Sequence, residues 1–171
     1  ADTVAATARL APGATAMLTI TNTPGSRLAA LGKPTIDLGC GPEQGSSTKT
    51  YTSTVLALLL AASGPGPQWR HLVHSGQEIL EHFGPDDAPP LLSGARRHYF
   101  LGAGLNVATA LEAALISKEK LFLHAEGDGA ADFIHGPLEA LDGSCTVWLF
   151  STNERLDDLL LPLARRIMQT G

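Results

Sequence analysis

The order of apolar and polar positions divides the chain into alternating extended and helical segments, and the clearest unit spans residues 99–141. Tyr99-Phe100-Leu101 is a short apolar run, the pattern of a buried strand. Gly102-Ala103-Gly104 breaks the run. From Val107 to Phe122, the positions Leu111, Leu115, Glu119 and Phe122 recur at spacings of three and four, which predicts a helix. Strand, glycine turn and helix form the unit with which α/β proteins aim a helix N-terminus at a ligand. His124-Ala125-Glu126 comes next, and residues 127–131 read as a small-residue loop leading into Phe133 and His135. One compact segment thus collects Glu112, Glu119, Glu126, His124 and His135 beside glycines.

The remaining pattern is read the same way. Residues 1–10 read as a helix that starts abruptly, with no strand before it, and Pro12-Gly13 ends it. Residues 16–21 form a strand, 22–26 a turn, 26–31 a short helical turn, 35–38 a second strand and 39–42 a loop. Ser46, Ser47 and Thr48 then stand just before an apolar helix over residues 50–63. Either Ser47 or Thr48 caps that helix, or the same hydroxyls and the backbone N–H groups hold an anionic or polyol ligand. Residues 64–67 break the chain, and residues 68–83 read as an amphipathic helix with Trp69, Leu72, Val73, Ile79, Leu80 and Phe83 near one face. Residues 84–90, rich in proline, form the best domain boundary, and residues 91–97 are expected to add a short helix. A strand over 146–150 and a helix over 153–168 follow, with Ser151 or Asn153 as cap and Arg165-Arg166 in the last turn, where cations suit the helix dipole. Both halves alternate helix and strand, with a hydroxyl- or glycine-rich turn at a strand-to-helix junction. This weak internal repeat suggests two doubly wound α/β units in tandem.

Composition narrows the function classes. The chain has 171 residues, 44% hydrophobic and 17% charged, enough for one α/β domain or parts of two. Its formal charge is -5 with no basic run, which argues against tracking a nucleic-acid backbone. Cys40 and Cys145 make no disulfide framework or CxxC pair and read as buried thiols in a reducing compartment. The longest apolar run, residues 55–62, is too short to span a bilayer, and no secretory signal opens the chain. A cytoplasmic location is the expectation.

Several motifs, in their order and spacing, resemble a known family: Ala1-Asp2-Thr3, Ser46-Ser47-Thr48-Lys49-Thr50-Tyr51-Thr52, Leu111-Glu112-Ala113-Ala114-Leu115, and His124-Ala125-Glu126 followed by His135-Gly136-Pro137-Leu138. Together they look like the tandem sugar-isomerase (SIS) domains, in particular the isomerase half of glutamine–fructose-6-phosphate aminotransferase and the glucosamine-6-phosphate deaminases. The resemblance covers nearly the whole chain. It implies an α/β fold of two flavodoxin-like SIS units in tandem, parallel sheets between helices, both truncated. Residues 1–84 would be the C-terminal part of the first unit plus a connecting helix, 85–96 a linker, and 97–171 the N-terminal part of the second unit. In the family a phosphate loop precedes the segment matching Ala1-Asp2-Thr3, and a tail with a Schiff-base lysine and a glutaminase domain complete the aminotransferase. None of these is in this chain, so a partner chain or further segments are expected to cover the sheet edges.

The resemblance also implies chemistry. Shifting a carbonyl between C1 and C2 of a sugar phosphate requires ring opening, a proton shuttle and a hold on the phosphate. Glu119 matches the family's shuttle base and His135 its ring-opening histidine, which in relatives serves the active site of the neighbouring subunit, so a homodimer with composite sites follows. Ser47 matches a sugar-binding position, with Gly45, Ser46 and Thr48 around it. Read alone, Glu119 beside Lys118 and Lys120 is a solvated helix carboxylate, and His135 before Gly136-Pro137 is a loop histidine bonded to backbone. His124 and Glu126 read as structural, at a unit or subunit interface, and Glu112 as orienting a helix or loop. A metal site from His124, Glu126 and His135 fits no standard zinc spacing. No metal or organic cofactor is called for, because the substrate's own carbonyl stabilises an enediol. One position departs from the aminotransferase: Ile116 stands where that enzyme has a lysine, one helical turn before the shuttle glutamate. The expectation is therefore an amino-sugar-phosphate isomerase or deaminase. The alternatives are aminotransferase-type glucosamine-6-phosphate synthesis and a non-catalytic sugar-phosphate-binding regulatory module.

Overall fold

A computed structural model describes residues 2–13, 16–32, 34–82, 94–152 and 154–170. The chain divides into two compact units, Ala1–Glu81 and His82–Gly171. Each holds a parallel sheet with helices in its crossovers, the α/β architecture that the alternating pattern predicts.

Unit 1 runs α1 (Asp2–Leu10), a 3₁₀ turn (Ala11–Gly13), β1 (Thr19–Thr21), α2 (Arg27–Leu31), β2 (Thr35–Asp37), α3 (Thr48–Ser63) and α4 (Gln68–His82). The two strands pair in parallel with Ile20 opposite Ile36. The connecting α2 is capped by Ser26, whose Oγ accepts from the Ala29 N–H at 3.2 Å. The first strand is shorter than its apolar pattern, and α3 begins two residues earlier than expected. Helix α4 is amphipathic as read, yet Leu72, Val73, Ile79 and Leu80 on it are all exposed. Phe83 and the proline-rich boundary over 84–90 lie outside the described residues, as does most of the 85–96 linker.

Unit 2 runs β3 (Arg97–Gly102), α5 (Asn106–Leu121), β4 (Ala125–Gly129), α6 (Ala130–Phe133), a 3₁₀ turn (Pro137–Ala140), β5 (Cys145–Phe150) and α7 (Glu154–Thr170). The sheet order is β4-β3-β5, parallel throughout, with Phe100 opposite both Gly127 and Trp148. Alternation along the central strand sends successive side chains to opposite faces. Tyr99 and Leu101 pack with Phe133, Leu138, Leu160 and Leu163 on one face. Phe100 packs with Ala110, Ala114 and Ala125 on the other. Tyr99 meets Phe133 edge to face at a centroid distance of 5.3 Å, and Phe100 stacks on Trp148 at 5.9 Å. Full burial of Leu101, Phe133, Leu138 and Leu163 stabilises the unit by about 1.5–3 kcal/mol each before entropy is counted.

Helix α5 turns its small residues inward. Asn106, Ala110, Ala114 and Ser117 are buried, whereas Leu111, Leu115 and Glu119 face outward. The helix closes at Phe122, which sits in the left-handed region at φ 55° and donates its N–H to the Ser117 carbonyl. Residues 127–131, expected as a loop, instead form most of β4 and the start of α6. Glycine is required there by proximity: a Cβ on Gly127 would stand 2.6 Å from the Ala110 carbonyl oxygen. Two smaller corrections follow. Residues 91–93 of the expected short helix lie outside the described residues, and Arg97 opens β3. Helix α7 continues to Thr170, so Arg165 and Arg166 are not in its last turn. Asn153 is outside the described residues.

The turn into β5 is tied to the start of β3 by Asp142. Its Oδ2 lies 2.7 Å from Arg97 Nη2, and its Oδ1 accepts from the Ser144 hydroxyl and from the Ser144 amide at 2.9 Å. These bonds, Ser144's hydroxyl first, its amide second and Arg97 last, pull the Asp142 carboxyl from 3.8 to about 2. Among the described residues no helix is long and apolar enough to cross a membrane.

Two outcomes are expected. Gly127→Ala should lower unfolding stability by about 1–3 kcal/mol through overpacking, while Gly143→Ala, which meets no atom within 4 Å, should leave it nearly unchanged. Paired denaturant titrations check both. Because its folded value is depressed, Asp142 contributes stability that is complete above pH 3.8 and is lost as pH falls through about 2. Acid unfolding of Asp142→Asn followed by circular dichroism should therefore be flatter in that window than wild type.

Candidate functional site

Unit 1 opens a cleft of about 860 Å³ at the carboxyl ends of β1 and β2, where α/β sheets receive ligands. Thr21 and Asp37, the last residues of the two strands, line it with Asn22, Gly41, Glu43, Gly45, Ser47 and Thr50. The loop between β2 and α3 makes its turns at Gly39, Gly41 and Gly45, with φ of 59°, 75° and 85°. Asn22 staples that loop from across the cleft: its Nδ2 donates to the Gly41 carbonyl at 2.6 Å and its Oδ1 accepts from the Cys40 N–H at 3.0 Å. Lys49 spends its ammonium on the Pro42 carbonyl at 3.1 Å. Among the described lining residues, the charged side chains are the carboxylates of Asp37 and Glu43.

The start of α3 is held by a residue that the sequence pattern did not single out. Ser47 occupies the cap position without making a capping bond, and Thr48 does not cap either. Instead, Glu43 folds back over the first turn. Its Oε1 accepts from the Lys49 N–H at 2.6 Å and the Thr48 hydroxyl at 3.3 Å, and its Oε2 accepts from the Thr50 N–H at 3.1 Å. The Thr48 N–H goes to the Ser46 carbonyl and the Tyr51 N–H to the Ser47 carbonyl. The bonds from Thr50, Lys49 and Thr48, that of Thr50 foremost, hold the Glu43 carboxyl below the ordinary carboxylate range. The only sequence signal for this arrangement was an acidic residue shortly before a helix start, at a longer reach than the usual capping box.

The expected substrate-binding residues are distributed as follows. Gly45 and Ser47 line the cleft. Ser46 is buried, and its hydroxyl has no hydrogen-bond partner among the described residues. Thr48 is bonded to Glu43 at the head of the helix. The two expected catalytic residues lie in unit 2. Glu119 is exposed in the last turn of α5, flanked by exposed Lys118 and Lys120. His135 is exposed just after α6, with its N–H donating to the Asp132 carbonyl at 2.9 Å. Since α5 covers one face of the sheet and the α6 crossover the other, Glu119 and His135 of one chain are on opposite faces. His124 and Glu126 pair at 3.9 Å on the surface. Among the described residues no group of three His, Cys, Asp or Glu side chains could hold a metal ion.

Comparison with known proteins places this architecture. Residues 91–166 match the SIS domain. The chain is 32% identical to the glutamine–fructose-6-phosphate aminotransferase (isomerizing) of Pyrococcus horikoshii, over 94% of this chain and 29% of the relative. It is 35% identical to the enzyme of the same name from Gloeobacter violaceus, over 77% of this chain and 24% of the relative. Among solved structures, the C-terminal domain of glucosamine-fructose-6-phosphate aminotransferase from Francisella tularensis superposes with a TM-score of 0.85 at 24% identity, over 99% of this chain and 53% of that one. A candidate phosphosugar isomerase from Silicibacter pomeroyi superposes with a TM-score of 0.82 at 29% identity, over 99% of this chain and 54% of that one. The chain thus spans under a third of the curated relatives and about half of the solved chains. It carries a SIS domain, homologous to the isomerase domain of the glutamine–fructose-6-phosphate aminotransferases.

Proposed function

We propose that the protein acts on an amino-sugar or ketose 6-phosphate, as an isomerase that releases ammonia from glucosamine 6-phosphate. The observation that carries this reading is the identity of 32% over 94% of the chain with an isomerizing aminotransferase. In this reading, residues 1–84 belong to a first SIS unit, 85–96 to a linker and 97–171 to a second unit, the two in tandem. The unit-1 cleft holds the sugar through Gly45 and Ser47. His135 opens the ring by passing a proton between the ring oxygen and the C1 hydroxyl. Glu119 then takes the proton from C2 of the open aldehyde and returns it to C1, so the C1 aldehyde becomes a hydroxymethyl group, the C2 amine becomes an imine and no outside oxidant is consumed. Water then adds to the C2 imine and its nitrogen leaves as ammonia, which gives the C2 ketone of fructose 6-phosphate. No metal or organic cofactor enters these steps.

The placement of Glu119 and His135 on opposite faces of one sheet supports a homodimer in which His135 serves the neighbouring site. A second reading, aminotransferase-type synthesis, is favoured by the names of the curated relatives. Ile116, on α5 one turn before Glu119, weighs against it, because an apolar side chain cannot supply the charge of the aminotransferase lysine.

The test follows ammonia release and fructose 6-phosphate formation from glucosamine 6-phosphate by the full chain. Glu119→Gln should lower turnover about a hundred- to ten-thousandfold, the range of general acid–base catalysis, with binding retained. Mixing Glu119→Gln with His135→Ala should restore part of the activity, since one site in the mixed dimer would carry both intact groups. Unchanged turnover in Glu119→Gln would remove it from the mechanism. A wild type that binds the sugar phosphate without turnover would establish the regulatory binding module instead.

A further inference from the structure

The unit-1 cleft is bordered by a helix N-terminus, ordinarily a place for anions because its first N–H groups are unpaired and the dipole favours negative charge. Here that vacancy is closed. The N–H groups of Lys49 and Thr50 bond the Glu43 carboxylate, and those of Thr48 and Tyr51 bond the carbonyls of Ser46 and Ser47. A full negative charge already sits where an incoming phosphate would go, and Asp37 adds a second on the same wall. Two like charges brought together in a cleft repel, more strongly as water leaves. The nearby ammonium of Lys49 is engaged with the Pro42 carbonyl. What the wall offers a ligand is the Ser47 hydroxyl, which is not used in capping, the backbone at Gly45 and the two carboxylates. These are partners for hydroxyl groups or an amine.

We propose that Glu43 selects which end of the ligand enters this cleft: it admits the hydroxyl- or amine-bearing end of a sugar phosphate and turns the phosphate away. Glu43 also acts as a positioning residue, since its bonds across the first turn of α3 fix the loop that carries Gly45 and Ser47. The carboxyl group's depressed pKa keeps it charged throughout the neutral range. The proposal rests on the sugar-phosphate reading above for its ligand, but the exclusion of anions from α3 can be tested without it.

Inorganic phosphate and glucosamine 6-phosphate would be titrated separately into wild type, Glu43→Ala and Glu43→Gln, following the backbone amides of Lys49 and Thr50 by NMR and affinity by calorimetry. In wild type, inorganic phosphate should leave those amides in place. In Glu43→Ala it should shift them, because two N–H groups at a helix N-terminus have become free. Glucosamine 6-phosphate should bind Glu43→Ala about five- to tenfold more weakly, the scale of a lost helix cap expressed as affinity. Glu43→Gln keeps one acceptor oxygen without the charge. It should show the same changes at smaller size and carries the test if the alanine variant does not fold. Phosphate that moves the two amides in wild type would overturn the proposal. So would a Glu43→Ala protein that binds the sugar phosphate as wild type does with its amides unmoved by phosphate. A wild type that ignores glucosamine 6-phosphate, beside a Glu43→Ala protein whose amides respond to phosphate, would remove the sugar-phosphate reading and uphold exclusion by Glu43.

Discussion

The organisation of unit 2 depends on how closely α5 lies on its sheet. Gly102 and Gly127 present bare backbone to the helix, and a methyl group on either would collide with helix carbonyls. The helix answers with Ala110, Ala114 and Ser117. Such packing forgoes the area of large side chains but brings backbone to backbone at the density of a protein interior. Its consequence reaches the chemistry. With the small side of α5 committed to the sheet, the larger and charged residues must face outward, so Glu119 emerges on the surface beside Leu111 and Leu115. The far side of the sheet is filled by Phe133, Leu138, Leu160 and Leu163, which leaves His135 at the edge of a different layer.

Unit 1 solves the complementary problem, how to begin a helix next to an open cleft. A hydroxyl cap would have satisfied one N–H and left the dipole to attract anions. A carboxylate satisfies two and cancels the dipole as well. Glu43 reaches its place because the loop turns at Gly39, Gly41 and Gly45 in conformations that other residues rarely adopt, and because Asn22 holds the loop from β1's side. The resulting wall is made of backbone, hydroxyl and carboxylate groups, and its preference for uncharged or cationic groups is a property of the fold.

Much of this was legible in the sequence, for identifiable reasons. The strand at Tyr99-Phe100-Leu101 and the helix after it follow from an apolar run and a period of three and four. The face of that helix was not legible. Leu111, Leu115, Glu119 and Phe122 share their spacing with Asn106, Ala110, Ala114 and Ser117, and periodicity alone cannot say which stripe is inside. Close approach decided it, and close approach is written in Gly127, which looked like a loop residue because glycine marks both turns and tight packing. Glu43 was hidden for another reason: it caps from outside the usual window, through a fold of the loop that local pattern does not encode. The motif around His135 was visible by resemblance, whereas its separation from Glu119 by a sheet needed the packing of both layers.

That separation constrains any mechanism that employs both residues. The sheet of unit 2 carries a packed core on each side, and a packed core does not deform to let groups on its two faces meet. No internal rearrangement of one unit brings His135 to Glu119. Either the two residues belong to one site drawn from two chains, or they do not act together. The surface around Glu119 bears on the choice. Leu111, Leu115 and Leu121 are exposed on the same helix, and a solvated carboxylate among exposed leucines is a poor proton shuttle, since water competes for every transfer. A partner surface laid over those leucines would bury apolar area, exclude water from the carboxylate and supply the missing histidine in a single step. If Glu119 and His135 act together, a second copy would supply both the cover and the histidine that unit 2 alone does not bring to Glu119.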